Sequence, residues 1–231
     1  MSTFPVSFVA TESRRPFRPN PYFMAFLLVF VSLLVYLKNF RVYSTIDIVD
    51  TEPNQLLPIS LLTDGDFYFD EFVTVDGQLP LGTQRLGAHV VSRYPIVPGL
   101  LNVPVYAAAR ALGIPLYPNR LVLSLITAAI TTALSVGFMY LVLVEVCRRW
   151  TTAVLCTVIY AFGTGVWSTA SQGLWQHGPS LLLLNVALWL ILKDRPATLA
   201  WSGFFLGLAF AAARSRPRWF ARLGARASNR L

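Results

Sequence analysis

Charge is scarce in this chain, and negative charge scarcer still. Asp and Glu number 11, and charged residues of every kind make up 13% of the sequence, about half the roughly 25% usual in soluble domains. Cysteine and histidine occur twice each. Cys147 stands at the edge of an apolar run and Cys156 inside one, so neither a disulfide framework nor a Cys/His zinc site is offered. There is no His/Asp/Glu cluster at metal-ligand spacing, no glycine-rich phosphate loop and no nucleophile elbow. These absences exclude P-loop nucleotide chemistry, serine-hydrolase chemistry and a structural zinc. Nothing in the pattern supports a divalent ion either, although Asp64 and Asp66 are the pair that would be asked to hold one. No cofactor is expected.

What the chain has instead is length without charge. It is 55% apolar, and stretches free of acid or base run through 19–37, 121–144, 150–192 and 196–213. A bilayer core about 30 Å thick takes roughly 20 helical residues. The third stretch is therefore too long for one crossing and must fold back at the polar run Ser168-Thr169-Ala170-Ser171-Gln172-Gly173-Leu174-Trp175-Gln176-His177-Gly178. Five spans are predicted, near 22–39, 121–145, 151–167, 179–193 and 197–213. The fold class expected is an all-α membrane protein, a multi-pass helical bundle.

Basic residues near the spans set its orientation. Arg14, Arg15 and Arg18 precede the first span, and crossing number puts Arg148-Arg149 and Lys193/Arg195 on that same side. Residues 1–21 read as a basic cytoplasmic leader, and 22–213 as the transmembrane domain. Within it, the long loop 40–120 shares the extracytoplasmic face with the Ser168–Gly178 turn. The segment Tyr36-Leu37-Lys38-Asn39-Phe40 offers no small-residue cleavage site, so the first span is expected to be an uncleaved anchor. A net charge of +8 collects at span edges and in the carboxy-terminal tail, which favours a membrane surface over nucleic acid.

Eight of the 11 carboxylates fall in the loop: Asp47, Asp50, Glu52, Asp64, Asp66, Asp70, Glu71 and Asp76. Thr51–Leu62 has apolar residues at helical spacing with Pro53 near its start, where proline is tolerated. It predicts a short helix carrying Asp50 and Glu52 at its amino end. Asp64-Gly65-Asp66 is turn chemistry, and Phe67-Tyr68-Phe69 with Phe72 suits a lipid headgroup boundary. From Tyr94-Pro95 to Leu112 a second short helix is expected at the interface. Gly203 and Gly207 make a small-xxx-small pair suited to close helix packing.

In this order the motifs resemble those of integral-membrane, C-type (GT-C) glycosyltransferases, the class of protein O-mannosyltransferases and aminoarabinose transferases. The matching residues are Asp50-Thr51-Glu52-Pro53 after the first span, Ser60-Leu61-Leu62-Thr63-Asp64-Gly65-Asp66, and Ser92-Arg93-Tyr94-Pro95 with Pro98-Gly99-Leu100-Leu101 and Pro104. The likeness covers roughly 22–212 and its specificity lies in the order. Thr51 interrupts the adjacent Asp-Glu of that family. The resemblance implies transfer of a sugar from a polyprenyl-phosphate carrier to an acceptor, at the outer face of the bacterial inner membrane. Asp50 is then the candidate base, Glu52 its alternative, and Arg93 with Tyr94 a candidate carrier contact. Gln172, Trp175 and His177 are candidate sugar or acceptor contacts. The sugar and the acceptor are not specified.

Plainer roles stand beside these. Asp50 or Glu52 would serve as a helix cap, Asp64 and Asp66 as turn residues, Asp70, Glu71 and Asp76 as solvated surface. Arg85 and Arg93 would pair with loop acids, and His177 with Trp175 would anchor the chain at the interface. A transporter subunit would carry ionisable groups inside its spans, and only Glu145 stands near one. A non-enzymatic assembly protein would tolerate loss of every loop carboxylate. The tail 214–231 holds six arginines and no acid, on a side where such density is disfavoured. The expectation is a truncation or frame change near residue 212, which makes the chain the amino-terminal part of a larger enzyme, whether active or inactive as it stands.

Overall fold

The structure, a computed structural model, describes residues 19–38, 50–147 and 149–214. The leader 1–18, Asp47, Arg148 and the tail after Arg214 lie outside the described residues. Seven α-helices are present among those described: α1 (Pro21–Lys38), α2 (Glu52–Thr63), α3 (Val97–Ala111), α4 (Leu116–Cys147), α5 (Trp150–Phe162), α6 (His177–Leu192) and α7 (Pro196–Ala213). Three of them, α1, α4 and α7, are long and apolar enough to cross a membrane. The apolar α5 and α6 are shorter, with 13 and 16 residues.

The helix expected through 151–167 stops at Phe162. Gly163 takes the C-cap position, and the Thr164 hydroxyl donates to the Tyr160 carbonyl at 2.8 Å, occupying an acceptor that a further turn would use. A π-helical turn, Val166–Ala170, follows. It leads into the predicted bend, which the Thr132 hydroxyl of α4 holds through the Ala170 carbonyl at 3.1 Å.

Alternate helices run in opposite directions. One apolar cluster gathers Ala25 near the start of α1, Tyr140, Leu141 and Val144 near the end of α4, and Ala153 near the start of α5. At that end Lys193 meets Glu145 at 2.9 Å, so Arg149, Lys193 and Arg195 share the end away from the loop. A second cluster joins Tyr36 at the end of α1 to Ala129 and Ala133 of α4 and Ala161 of α5. Gly137 lets α1 approach α4: a β-carbon there would lie 2.5 Å from Val29.

The described residues are mostly helical, as expected, and the loop adds a small core with one two-stranded sheet. Strands β1 (Thr83–Leu86) and β2 (His89–Ser92) form an antiparallel hairpin, with Leu86 opposite His89. The connection is only Gly87-Ala88, and Gly87 has φ 64°, the left-handed geometry that two-residue hairpin turns require. Val90 of β2 packs with Leu56, Leu57, Ile59, Phe69, Tyr106 and Leu123. Phe69 is therefore not a headgroup anchor but a fully buried core residue; Phe67 and Tyr68 stay exposed. Phe69 is drawn in because its amide donates to the Val90 carbonyl at 2.9 Å.

Gly203 and Gly207 also depart from expectation. A β-carbon at either position meets nothing within 4 Å, so the pair packs against no described residue. Helix α7 leans on α6 along its opposite side, leaving Phe204 and Phe210 exposed.

Candidate functional site

Proline 58 explains how the loop is joined to the bundle. A proline inside a helix has no N–H to give the carbonyl four residues back, and here that carbonyl belongs to Asn54, which is buried. The Asn102 amide of α3 fills the gap, donating to the Asn54 carbonyl at 2.7 Å. The Asn54 side chain in turn donates to the Leu174 carbonyl at 3.0 Å. One polar line thus runs from α3 through α2 to the bend. Gly99 of α3 permits it by closeness: a β-carbon there would sit 2.6 Å from Leu57.

The line brings the amino end of α2 and the tryptophan-bearing bend to the same end of the bundle. Asp50 precedes α2, and the pull of its carboxylate on the Tyr94 hydroxyl is the first cause holding that phenol above its ordinary value, with partial burial second. Tyr94 is fixed from behind by a tight turn in which its amide donates to the Ser92 hydroxyl at 2.9 Å. The helix N-cap itself is Thr51, which makes no side-chain cap bond. Glu52 reaches away instead and accepts the Leu81 amide at 2.9 Å, tying α2 to the approach to the hairpin.

The other candidates are placed as follows. Arg93 is exposed; its amide donates to the Gly82 carbonyl at 2.9 Å, and its guanidinium has no hydrogen bond or ion pair with a described residue. Gln172 donates to the Ser171 hydroxyl at 2.8 Å. The Trp175 ring folds back over Gly173, where a β-carbon would meet its indole nitrogen at 2.7 Å. His177 is exposed as the first residue of α6. The Asp50 carboxylate is close enough to the Tyr94 phenol to raise it; Gln172, Trp175 and His177 lie on the bend, which Asn54 ties to α2. Among the described residues no group of three or more His, Cys, Asp or Glu gathers to hold a metal ion.

Tyr94 also walls a cavity of about 340 Å³ between the loop and the carboxy end of α7, with Phe67, Tyr68, Ile96, Ala211 and Arg214 among its lining. Asn54, Asn102 and Arg214 carry no sequence motif. A buried Asn four residues before a proline is the one signal that marks Asn54 in advance.

Asp70, read from sequence as solvated surface, is exposed yet engaged. It accepts the Val90 amide at 2.7 Å and contacts His89 Nδ1 at 2.7 Å, while His89 stacks on Tyr68 with ring centroids 4.0 Å apart. The contact with His89 is the main reason its carboxyl lies below its ordinary value of 3.8. A depressed carboxylate stabilises the fold fully above its unfolded value and loses that contribution as pH falls through the folded one. Hydrogen-exchange protection of the Val90 amide, corrected for intrinsic rate, is expected to be flat above pH 4 and to drop in stronger acid. Protection that stays constant there would rule out Asp70 as the anchor of β2.

No family model, curated protein or solved structure matches this chain.

Proposed function

We propose that this chain is a membrane glycosyltransferase of the C-type, or part of one, that moves a sugar from a polyprenyl-phosphate carrier to an acceptor hydroxyl at the outer face of the bacterial inner membrane. The amino terminus is then cytoplasmic, α5 and α6 complete five crossings with α1, α4 and α7, and α3 lies at the interface. One observation carries the reading: Asp50 stands at the start of α2, which is tied to the polar bend by the bond from the Asn54 side chain to the Leu174 carbonyl at 3.0 Å.

The chemistry asked of these groups is simple. An acceptor hydroxyl is a poor nucleophile until a carboxylate takes its proton as the new bond forms. Asp50 takes that proton. The acceptor oxygen bonds to the anomeric carbon, the bond from that carbon to the carrier phosphate breaks, and its electron pair leaves on the phosphate. A guanidinium stabilises the departing anion, and Arg93 has one uncommitted to any described residue. Tyr94, whose phenol is raised chiefly by the Asp50 carboxylate, is a positioning residue rather than a reacting one.

Placement is tested first. In a chain with Cys147 and Cys156 replaced by Ser, single cysteines at exposed Asp76 (loop), Thr164 (bend) and Asp194 (far end) are treated with a membrane-impermeant maleimide on intact spheroplasts. The first two are expected to label and the third only after lysis. Labelling of Asp76→Cys and Thr164→Cys from opposite sides would end the proposal. Membranes carrying the chain are then supplied with a defined prenyl-phosphate sugar; no transfer above membranes lacking it would refute the enzyme.

A further inference from the structure

Helices α5 and α6 fall short of a bilayer. Their 13 and 16 residues rise about 20 Å and about 24 Å at 1.5 Å per residue, against a core about 30 Å thick. Both are anchored at the end away from the loop. Lys193, which caps α6, pairs with Glu145 of α4, and Trp150, which opens α5, packs against the cluster of Leu141 and Val144. The missing length therefore lies at the loop end, where the bend joins the two helices.

Helix α4 gives the height of the bend independently. Its Thr132 hydroxyl holds the Ala170 carbonyl at 3.1 Å, and Thr132 stands about 20 Å above Glu145 along the helix. Leu34 marks the same height on α1. Val29 meets Gly137 where α1 and α4 approach, and Leu34 and Thr132 each lie five residues beyond that contact toward the loop. Leu34 is an exposed apolar side chain, as a lipid-facing position requires. The bend at that height is different. Gly163, Thr164, Gly165, Ser168 and Thr169 are exposed, and their backbone leaves the α-helix for a π-helical turn. Irregular backbone at membrane depth is stable only where protein buries it or water reaches it, because hydrocarbon offers no hydrogen-bond partner. No described residue buries these five, so water must.

We propose that the leaflet on the loop side is breached beside α5 by a water-filled notch about 10 Å deep, with the bend 163–169 as its floor. Its occupants are water and small hydrophilic solutes from that side. A 13-residue helix is then long enough, since it has only the remaining hydrocarbon to cross. The inference rests on the crossing arrangement proposed above and is independent of sugar transfer.

The test is the rate of modification of single cysteines by a methanethiosulfonate carrying a quaternary ammonium group, on intact spheroplasts, in the full chain with Cys147 and Cys156 replaced by Ser. Ser168→Cys and Thr169→Cys should react within about tenfold of Asp76→Cys in the loop, as thiols in water do. Leu34→Cys, at the same height on α1, should react more than about a hundredfold slower, because a thiol in hydrocarbon stays protonated. Val158→Cys, exposed on α5 and about 6 Å below Phe162, should be as slow as Leu34→Cys and so mark the floor. The notch is overturned if Ser168→Cys and Thr169→Cys are both as slow as Leu34→Cys, or if they react only after lysis. The crossing arrangement fails separately: Leu34→Cys and Val158→Cys reacting as fast as Ser168→Cys would mean that this level is not in the bilayer at all.

Discussion

Sugar transfer in Asp50→Asn is expected to fall by about 10²–10⁴-fold, the usual worth of a positioned general base, with little change in the affinity for either substrate. The substitution keeps an oxygen that can accept from Tyr94, so the loop should stay folded while the proton acceptor is lost. Glu52→Gln should cost far less, because Glu52 is turned toward the Leu81 amide; this comparison decides which of the two inherits the base. A second readout is independent of activity. With the carboxylate gone, the main cause of the raised Tyr94 phenol disappears, and its titration should move down toward 10.0. The sign is fixed by linkage: a raised phenol stabilises the fold below its unfolded value and loses that contribution as pH climbs through the folded one. Loop stability of the parent should therefore fall at strongly alkaline pH, and that Tyr94-dependent fall should be missing in Tyr94→Phe. Unchanged turnover in Asp50→Asn, with the tyrosine titration shifted as stated, would remove Asp50 from the chemistry and leave it a structural role.

The second large effect concerns stability. Asn102→Leu, close in volume, should destabilise the loop by about 1–3 kcal/mol, the cost of a buried carbonyl left without a donor. The carbonyl is that of Asn54, orphaned by Pro58. Since the Asn102 side-chain oxygen has no partner among the described residues, its amide hydrogens are what the site uses. Pro58→Ala returns an N–H to the helix and should rescue the loss, so the double variant should be more stable than Asn102→Leu alone. Thermal unfolding of the four proteins in micelles gives the coupling directly. A double variant no better than the single one would mean that Pro58 is not the reason Asn102 is needed.

The helices were legible because each is written as an uncharged run, and runs of that kind survive any tertiary context. All five expected spans have a helix at their position, and the short helices after Asp50 and after Pro95 are present as α2 and α3. Helix α4 begins at Leu116, ahead of the expected span from 121: the Arg120 guanidinium lies 4.4 Å from the Tyr117 ring, and the helix passes through it. The hairpin went unread because the hydrophobic alternation of Thr83–Ser92 is interrupted by Arg85 and His89, leaving only Gly87 and the run of Val90-Val91 as signals. Phe69, expected at the headgroup boundary, is buried for a related reason, while Glu71 is exposed as expected yet partnered. The turn at Asp64-Gly65-Asp66, with Gly65 at φ 76°, folds the chain back so that Glu71 accepts from Ser60, a contact that no local pattern announces. Of the site, the two polar clusters were legible as motifs and their connection was not, since it depends on a carbonyl freed by proline. The chamber at Arg214 was invisible to any local reading, as its walls come from residues 67–96 and 211–214, far apart in the chain.

Helix α4 has 32 residues, about 48 Å at 1.5 Å per residue, so it overshoots a bilayer core by several turns. The surplus lies at the loop end, where Leu116 and Leu123 enter the loop's core, Phe72 stacks on Tyr117 and Arg120 receives the Tyr106 hydroxyl. The loop is thus mounted on a mast rather than floating on the lipid. Its height and heading are properties of α4: deleting one residue from the buried stretch would lower it by about 1.5 Å and swing it by about 100°. A thicker or thinner bilayer, which long helices accommodate by tilting, would carry the carboxylate with it.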